Sequence, residues 1–209
     1  MKLLTLTSVL LMGLVINNAI RRNNAKTKKI HDEFWEKERS SHNAPERPTD
    51  DLNFIRFPSD LPLHLSIDDP RIREYQETLE NLTKKRVINL SGISNTDIRL
   101  AYGSKNMEEL SRADELFIIL CRNLNALSSA YLRAGYREEA CRLLQFAVSS
   151  GSDIRETWSM LGQYYLDNGN ATALKLLIDR AGKLDDSLNV KKDILKSLND
   201  QAALLDIVS

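Results

Sequence analysis

The chain has 209 residues, with 29 Lys and Arg against 29 Asp and Glu, so its formal net charge is zero. The balance is uneven: residues 1–40 hold eight basic and four acidic side chains, a net of +4, which leaves −4 for the remainder. A mildly acidic body lacks the concentrated basic face that phosphate binding requires, which argues against a nucleic-acid surface, and two cysteines are too few for a disulfide framework.

Residues 1–22 contain Leu3–Ile20, a stretch without a charge, followed by Arg21, Arg22, Lys26, Lys28 and Lys29. As a helix it would be ~27 Å long, close to the thickness of a hydrocarbon core. It has two readings, an uncleaved membrane anchor or a signal peptide whose apolar part is Leu3–Ile16. No A-x-A pattern precedes a cleavage point, and Arg21-Arg22 would crowd it, so the anchor is the expectation, with an exported protein as the alternative. The basic run after the span predicts a single-pass protein with its helical domain in the cytoplasm.

Residues 23–69 form a connector. Asn23–Ser40 is highly charged and carries Phe34 and Trp35 as its large aromatics; it reads as a helix beside a membrane, or as a solvated spacer. From Ser41 to Asp69 stand Pro45, Pro48, Pro58 and Pro62, which enforce an extended course. Leu52, Phe54, Ile55, Phe57, Leu61, Leu63, Leu65 and Ile67 nearly alternate with polar residues, which predicts a strap packed on a helical body, either as plain structural docking or as a cover for a groove.

Residues 70–209 read as helical. Asp69-Pro70 opens a helix in which Ile72, Tyr75, Leu79 and Leu82 recur at spacings of three and four. Asn89–Lys105, with Ser94 or Asn95 as a cap, accommodates a short helix. Met107–Ala134 is periodic throughout and reads as one long helix or two. Trp158, Leu161, Gly162 and Tyr165 then stand in the order W-x-x-L-G-x-x-Y, and the spacing recurs 34 residues earlier as Leu124, Leu127, Ser128 and Tyr131. The same shift lays Gly135 on Gly169, Leu143 on Leu177 and Ala147 on Ala181. Residues 188–208 add a last amphipathic segment through Leu188, Leu195, Leu198, Ala202, Leu205 and Val208, suited to capping a stack.

With units at 121–154 and 155–188, the chain resembles the tetratricopeptide repeat family. Ile178 replaces the usual aromatic, Leu174 stands where a small residue is expected, and Ser152 and Asp186 stand where proline often closes a unit. The resemblance implies an all-α fold, a short right-handed α-solenoid of helical hairpins with a C-terminal capping helix, preceded by the strap and the hydrophobic N-terminal helix. It implies a protein or peptide partner, held in a groove lined by Arg122, Asn125, Ser129 and Arg133 from the first unit and Glu156, Ser159, Gln163 and Asp167 from the second. The basic wall suits a carboxylate. Asn125 and Ser129 stand where the family's peptide-terminus clamps use Lys and Asn, so no known clamp carries over.

No catalytic residue, cofactor site or metal site is expected. His31, His42 and His64 all fall in the connector without metal-ligand spacing, Gly92 and Gly103 do not form a phosphate loop, and no nucleophile elbow occurs. Cys121 and Cys141 read as small buried apolar side chains. The sequence therefore predicts a membrane-anchored interaction scaffold or adaptor, with an exported repeat protein or a non-catalytic subunit of an enzyme complex as alternatives.

Overall fold

Three of the helices start at a residue whose side chain caps them. The computed structural model describes residues 2–185 and 190–208; of these, the side chains of 2–11, 13–16 and 205–208 lie outside the description. Among the described residues there are eight α-helices and no strand, an all-α chain: α1 (Lys2–His42), α2 (Pro70–Thr83), α3 (Asn95–Tyr102), α4 (Met107–Arg133), α5 (Arg137–Ser149), α6 (Arg155–Asp167), α7 (Ala171–Ala181) and α8 (Lys191–Val208). Asp69 accepts from the Arg71 amide at 2.9 Å, Ser94 from Asp97 at 3.1 Å and Asn170 from Ala173 at 3.0 Å. Each satisfies a donor that a first helical turn leaves open. Met107 to Arg133 is one helix, so the unit expected to start at residue 121 would begin inside α4.

The turns after α4 and α6 repeat each other bond for bond. Gly135 and Gly169 both have positive φ, +88° and +63°, a conformation costly for any residue with a Cβ. The amide of Tyr136 donates to Tyr131 O at 2.9 Å, and that of Asn170 to Tyr165 O at 2.8 Å. This pattern satisfies carbonyls that a helix end leaves open, and it recurs at the 34-residue spacing of the sequence.

The chain divides into two compact units, Met1–Thr49 with Ser94–Met107, and Asp50–Ile93 with Glu108–Ser209. In the first, the C-terminal turns of α1 hold α3 through a set of polar contacts. Glu38 accepts from Thr96 at 2.6 Å and from Arg99 at 2.8 Å, and Lys37 pairs with Asp97 at 2.6 Å. The Glu38 and Arg99 side chains are only about a fifth exposed, at 20% and 19%. Trp35 donates to His31 Nε2 at 2.8 Å and stacks edge-on with Phe34, so both aromatics stay on the open side of α1.

The expected membrane placement is corrected. Among the described residues no helix is long and apolar enough to cross a membrane, so the single-pass arrangement with a cytoplasmic helical domain is not supported. The side chains of residues 3–11 and 13–16, which would form the anchor, lie outside the described residues. The physical reason is length. The apolar run proper, Leu3–Ile16, covers ~21 Å as a helix against a ~30 Å hydrocarbon core. From Asn17 onward α1 continues into exposed polar and charged positions.

In the second unit two apolar clusters share α5. One gathers α2, α4 and the inner face of α5 around Leu120, Leu124, Leu127, Tyr131, Leu143 and Ala147, with the strap laid against it through Ile55, Phe57, Leu61, Leu63, Leu65 and Ile67. The strap is extended and forms no strand. It is tied down by polar bonds at its centre: Tyr131 donates its hydroxyl to Pro62 O at 2.9 Å, and Gln76 Nε2 donates to Tyr131 Oη at 2.8 Å and to Leu65 O at 2.9 Å. The other cluster stacks α5, α6, α7 and α8 around Leu144, Trp158, Leu161, Leu174, Leu177, Ile194 and Leu198. Trp158 is fully buried and donates to Ser152 O at 2.8 Å, closing the loop between α5 and α6.

Gly162 decides how α8 docks. A Cβ there would lie 2.1 Å from Gln201 Oε1 and 2.7 Å from Leu198 Cδ2, both far inside contact distance. Its absence lets α8 settle on α6, where Gln201 donates to Ser159 O at 3.0 Å. The inward face of α8 centres on Ile194, Leu198 and Gln201, and the expected Leu195 and Ala202 flank it, partly buried against the same cluster. The expected start of this segment at Leu188 falls on residues outside the description, and the helix begins at Lys191.

Three outcomes are expected. The Glu38 and Asp97 carboxyls are held below their ordinary 4.5 and 3.8, chiefly by the hydrogen bonds from Thr96 and Lys37 respectively. Because these folded values are depressed, their contribution is complete above pH 4.5 and is lost as the pH falls through the folded values. Amide-exchange protection of α3, corrected for intrinsic rates, should fall on acidification, and Glu38→Gln should flatten that dependence; an unchanged profile contradicts the role given to Glu38. Gly162→Ala sets the roughly 0.5–1 kcal/mol that alanine gains over glycine inside a helix against the shift it forces on the side-chain ends of Gln201 and Leu198, so the effect is read locally: amide exchange of α8 should quicken relative to that of α6, and an unchanged ratio contradicts the close approach. Tyr131→Phe removes the bond to Pro62 O at a cost of about 1 kcal/mol, and limited proteolysis should then cut the strap faster than in the parent protein.

Candidate functional site

The eight residues expected to line a groove sit on α4 and α6 but do not act together. No hydrogen bond or ion pair among the described residues joins one of the four on α4 directly to one of the four on α6. Arg122 is exposed and lies beside Asp114 and Asp153 at the mouth of a small cleft. Asn125 is turned to α6, accepting from Thr157 at 3.0 Å. Arg133 donates to Ser129 on its own helix at 2.7 Å. Glu156 pairs with its neighbour Arg155 at 3.1 Å. Ser159 lies against α8, with Ser197 at 3.3 Å and Gln201 on its carbonyl. Gln163 donates to Asp167 at 2.7 Å, and Asp167 also pairs with Arg137, whose hydrogen bond holds its carboxyl below the usual range. Most of these polar groups are thus engaged with one another or with α8.

Another cleft lies on other helices. It runs between α5 and α7 over the edge of α6. Its floor is Val148, Leu161 and Leu177, its centre is Gln145 and Tyr165, and Leu176, 64% exposed, stands on its rim. It continues, with room for about 500 Å³, to a wall formed by Pro58, Asp60 and Leu61 of the strap, where Phe57 packs its ring on Phe146 at 5.5 Å. Arg142 and Arg180 flank this channel, both exposed and neither in an ion pair among the described residues. Asp60 is the one carboxylate among its lining residues.

The centre of the cleft repeats an arrangement already used inside the fold. Gln145 Nε2 donates to Tyr165 Oη at 3.0 Å, as Gln76 Nε2 donates to Tyr131 Oη at 2.8 Å. Tyr131 and Tyr165 are one repeat apart. At Tyr131 the pair is covered by the strap and the hydroxyl donates to a strap carbonyl. At Tyr165 the side chain is half-buried, and its hydroxyl has no acceptor among the described residues. Burial holds both phenols above their ordinary value, so each keeps its proton to donate. Sequence reasoning took both tyrosines as parts of an apolar stripe; what it missed was the glutamine partner. Gln76 and Gln145 are not separated by the 34-residue spacing, so the repeat offers no signal for them.

The remaining reactive groups are quiet. Cys121 and Cys141 are free and buried in different apolar clusters. Burial pushes their thiols up to about 12 and about 11, so neither forms a nucleophilic thiolate near neutral pH. Among the described residues no three His, Cys, Asp or Glu side chains converge in a metal-binding group. No family model matches the chain, and neither a curated protein nor a solved structure does.

Proposed function

We propose that this chain is a non-catalytic protein-interaction scaffold, a short right-handed α-solenoid of tetratricopeptide-like hairpins capped by α8, which takes an extended peptide of a partner protein in the cleft between α5 and α7. The observation that carries this reading is the pair of glutamine–tyrosine couples. One couple holds an extended, apolar, proline-containing segment of the chain itself by its backbone carbonyls, and the other presents the same donors to an open cleft. The strap is in effect an intramolecular example of the ligand. The repeat reading is supported by the bond-for-bond recurrence of the two hairpin turns and by the close approach that Gly162 permits.

The chemistry of the cleft narrows the ligand. Backbone carbonyls of an extended segment accept from Tyr165 and Gln145, alternate apolar side chains cover Leu161, Leu177 and Leu176, and acidic side chains meet Arg142 and Arg180. Two open guanidiniums beside one carboxylate favour a negatively charged segment, and planar Arg forks suit carboxylates in particular.

Selection from a random peptide library displayed on phage tests this. Bound sequences should be enriched in Asp and Glu interleaved with Leu, Ile or Phe. An Arg142→Glu, Arg180→Glu variant should lose them by at least about tenfold, ~1.4 kcal/mol, and Tyr165→Phe should weaken them less. Selected peptides without this pattern, or indifferent to the charge reversal, would overturn the assignment.

A further inference from the structure

We infer that the outward face of α4 is a contact between two copies of this chain, crossing antiparallel about Ile118 and Ile119. These two residues are 45% and 40% exposed, an apolar patch on a helix whose other side is fully buried. Glu115 precedes the patch by one turn and Arg122 follows it by one turn. Both are exposed, and neither is in an ion pair among the described residues.

The spacing is self-complementary. Residues 115 and 122 lie symmetrically about the midpoint between 118 and 119, and seven residues is close to two helical turns, so all four share one stripe. A two-fold axis through that midpoint sets Glu115 of one copy against Arg122 of the other, twice, while Ile118 meets Ile119 of the second copy between them. The same operation faces Arg112 with Asn125, so no like charges oppose. A parallel pairing would stack Glu115 on Glu115 and Arg122 on Arg122. An isologous interface requires a surface that complements itself under a two-fold rotation, and this stripe meets that condition at both its apolar and its charged positions.

Two other carboxylates border Arg122. Asp114 already accepts from the Leu90 amide at 2.9 Å, and Asp153 reaches the same cleft from the loop before α6. Neither forms an ion pair with Arg122, which leaves the guanidinium available to the second copy. A single helix face covers less than the ~800 Å² per partner of a stable interface, so the dimer should form in the micromolar range. This contact is independent of the α5–α7 cleft, and either can fail while the other stands.

Sedimentation velocity on the full-length chain from about 1 to about 200 µM decides it. The parent protein should shift from monomer to dimer over that range and revert in high salt. Glu115→Arg and Arg122→Glu should each remain monomeric at the top concentration, with unchanged helical circular dichroism. Their equimolar mixture should dimerise, because one partner then carries two arginines and the other two glutamates, and every opposing pair is again of opposite sign. A parent protein monomeric throughout, single variants that associate as it does, or a mixture that stays monomeric would each overturn the inference.

Discussion

A tyrosine hydroxyl oriented by a glutamine amide is the interaction on which the second unit depends. At Tyr131 that group fixes the strap, and the strap in turn covers α2, α4 and α5 with apolar side chains that would otherwise meet water. The bond itself contributes only about 1 kcal/mol. Its larger effect is positional. It sets which carbonyls of the strap face the body, and so which side chains point inward, and it places Pro58 and Leu61 where they wall the neighbouring cleft. Burial of the strap's Leu63 and its neighbours supplies most of the free energy, at ~25 cal/mol per Å² of apolar area covered, while the hydrogen bonds supply the register.

The second constraint is close approach. α6 receives α5 on one side and α7 and α8 on others, and a helix with that many neighbours needs small residues where backbones converge. Gly162 meets the need for α8, and Ala147 and Ala181, both fully buried, meet it for the helices that follow each hairpin turn. Trp158 fills the space left at the loop between α5 and α6 and gives its indole N–H to a loop carbonyl, so a large side chain is buried without an orphaned donor. Gln201 shows the limit of this economy: its amide nitrogen is satisfied by Ser159, while its Oε1 is buried without a partner among the described residues.

What was legible in the sequence follows from these two constraints. Periodic patterns reveal one-dimensional properties, so the helices, the starts at Asp69-Pro70 and at Ser94 or Asn95 and the paired glycines 135 and 169 are legible directly, as is the apolar character of the strap. The groove residues were assigned by position within a repeat unit, which says which side of a helix a residue occupies but not whether a neighbour engages it. Ser159 lies against α8, Asn125 is taken by Thr157, and Asp167 is taken by Arg137; each of those partners is remote in sequence or on another helix. On α8 the pattern indicates the apolar side through Leu195, Leu198 and Ala202, but not that Ile194 and Gln201 lie deeper, because a hydrophobic pattern alone cannot weigh a glycine on another helix. The N-terminal stretch illustrates the converse error: absence of charge over Leu3–Ile20 was given more weight than the run of apolar side chains, which ends at Ile16.

The asymmetry between the two tyrosines bears on function more than any single side chain does. Both hydroxyls accept from a glutamine on another helix, but one place is covered by the strap and the other is open. The covered place holds an extended chain whose carbonyls point at donors and whose alternate side chains are apolar. The open place keeps the donors, keeps an apolar floor in Leu161 and Leu177, leaves Leu176 largely in water, and adds Arg142 and Arg180 on its flanks. An exposed leucine alone is ordinary. An exposed leucine beside a half-buried phenol with a proton to donate and two arginines without carboxylate partners among the described residues is a surface locally under-satisfied in both its apolar and its polar groups. On the function proposed above, an extended segment of a partner would relieve both at once, as the strap does at Tyr131.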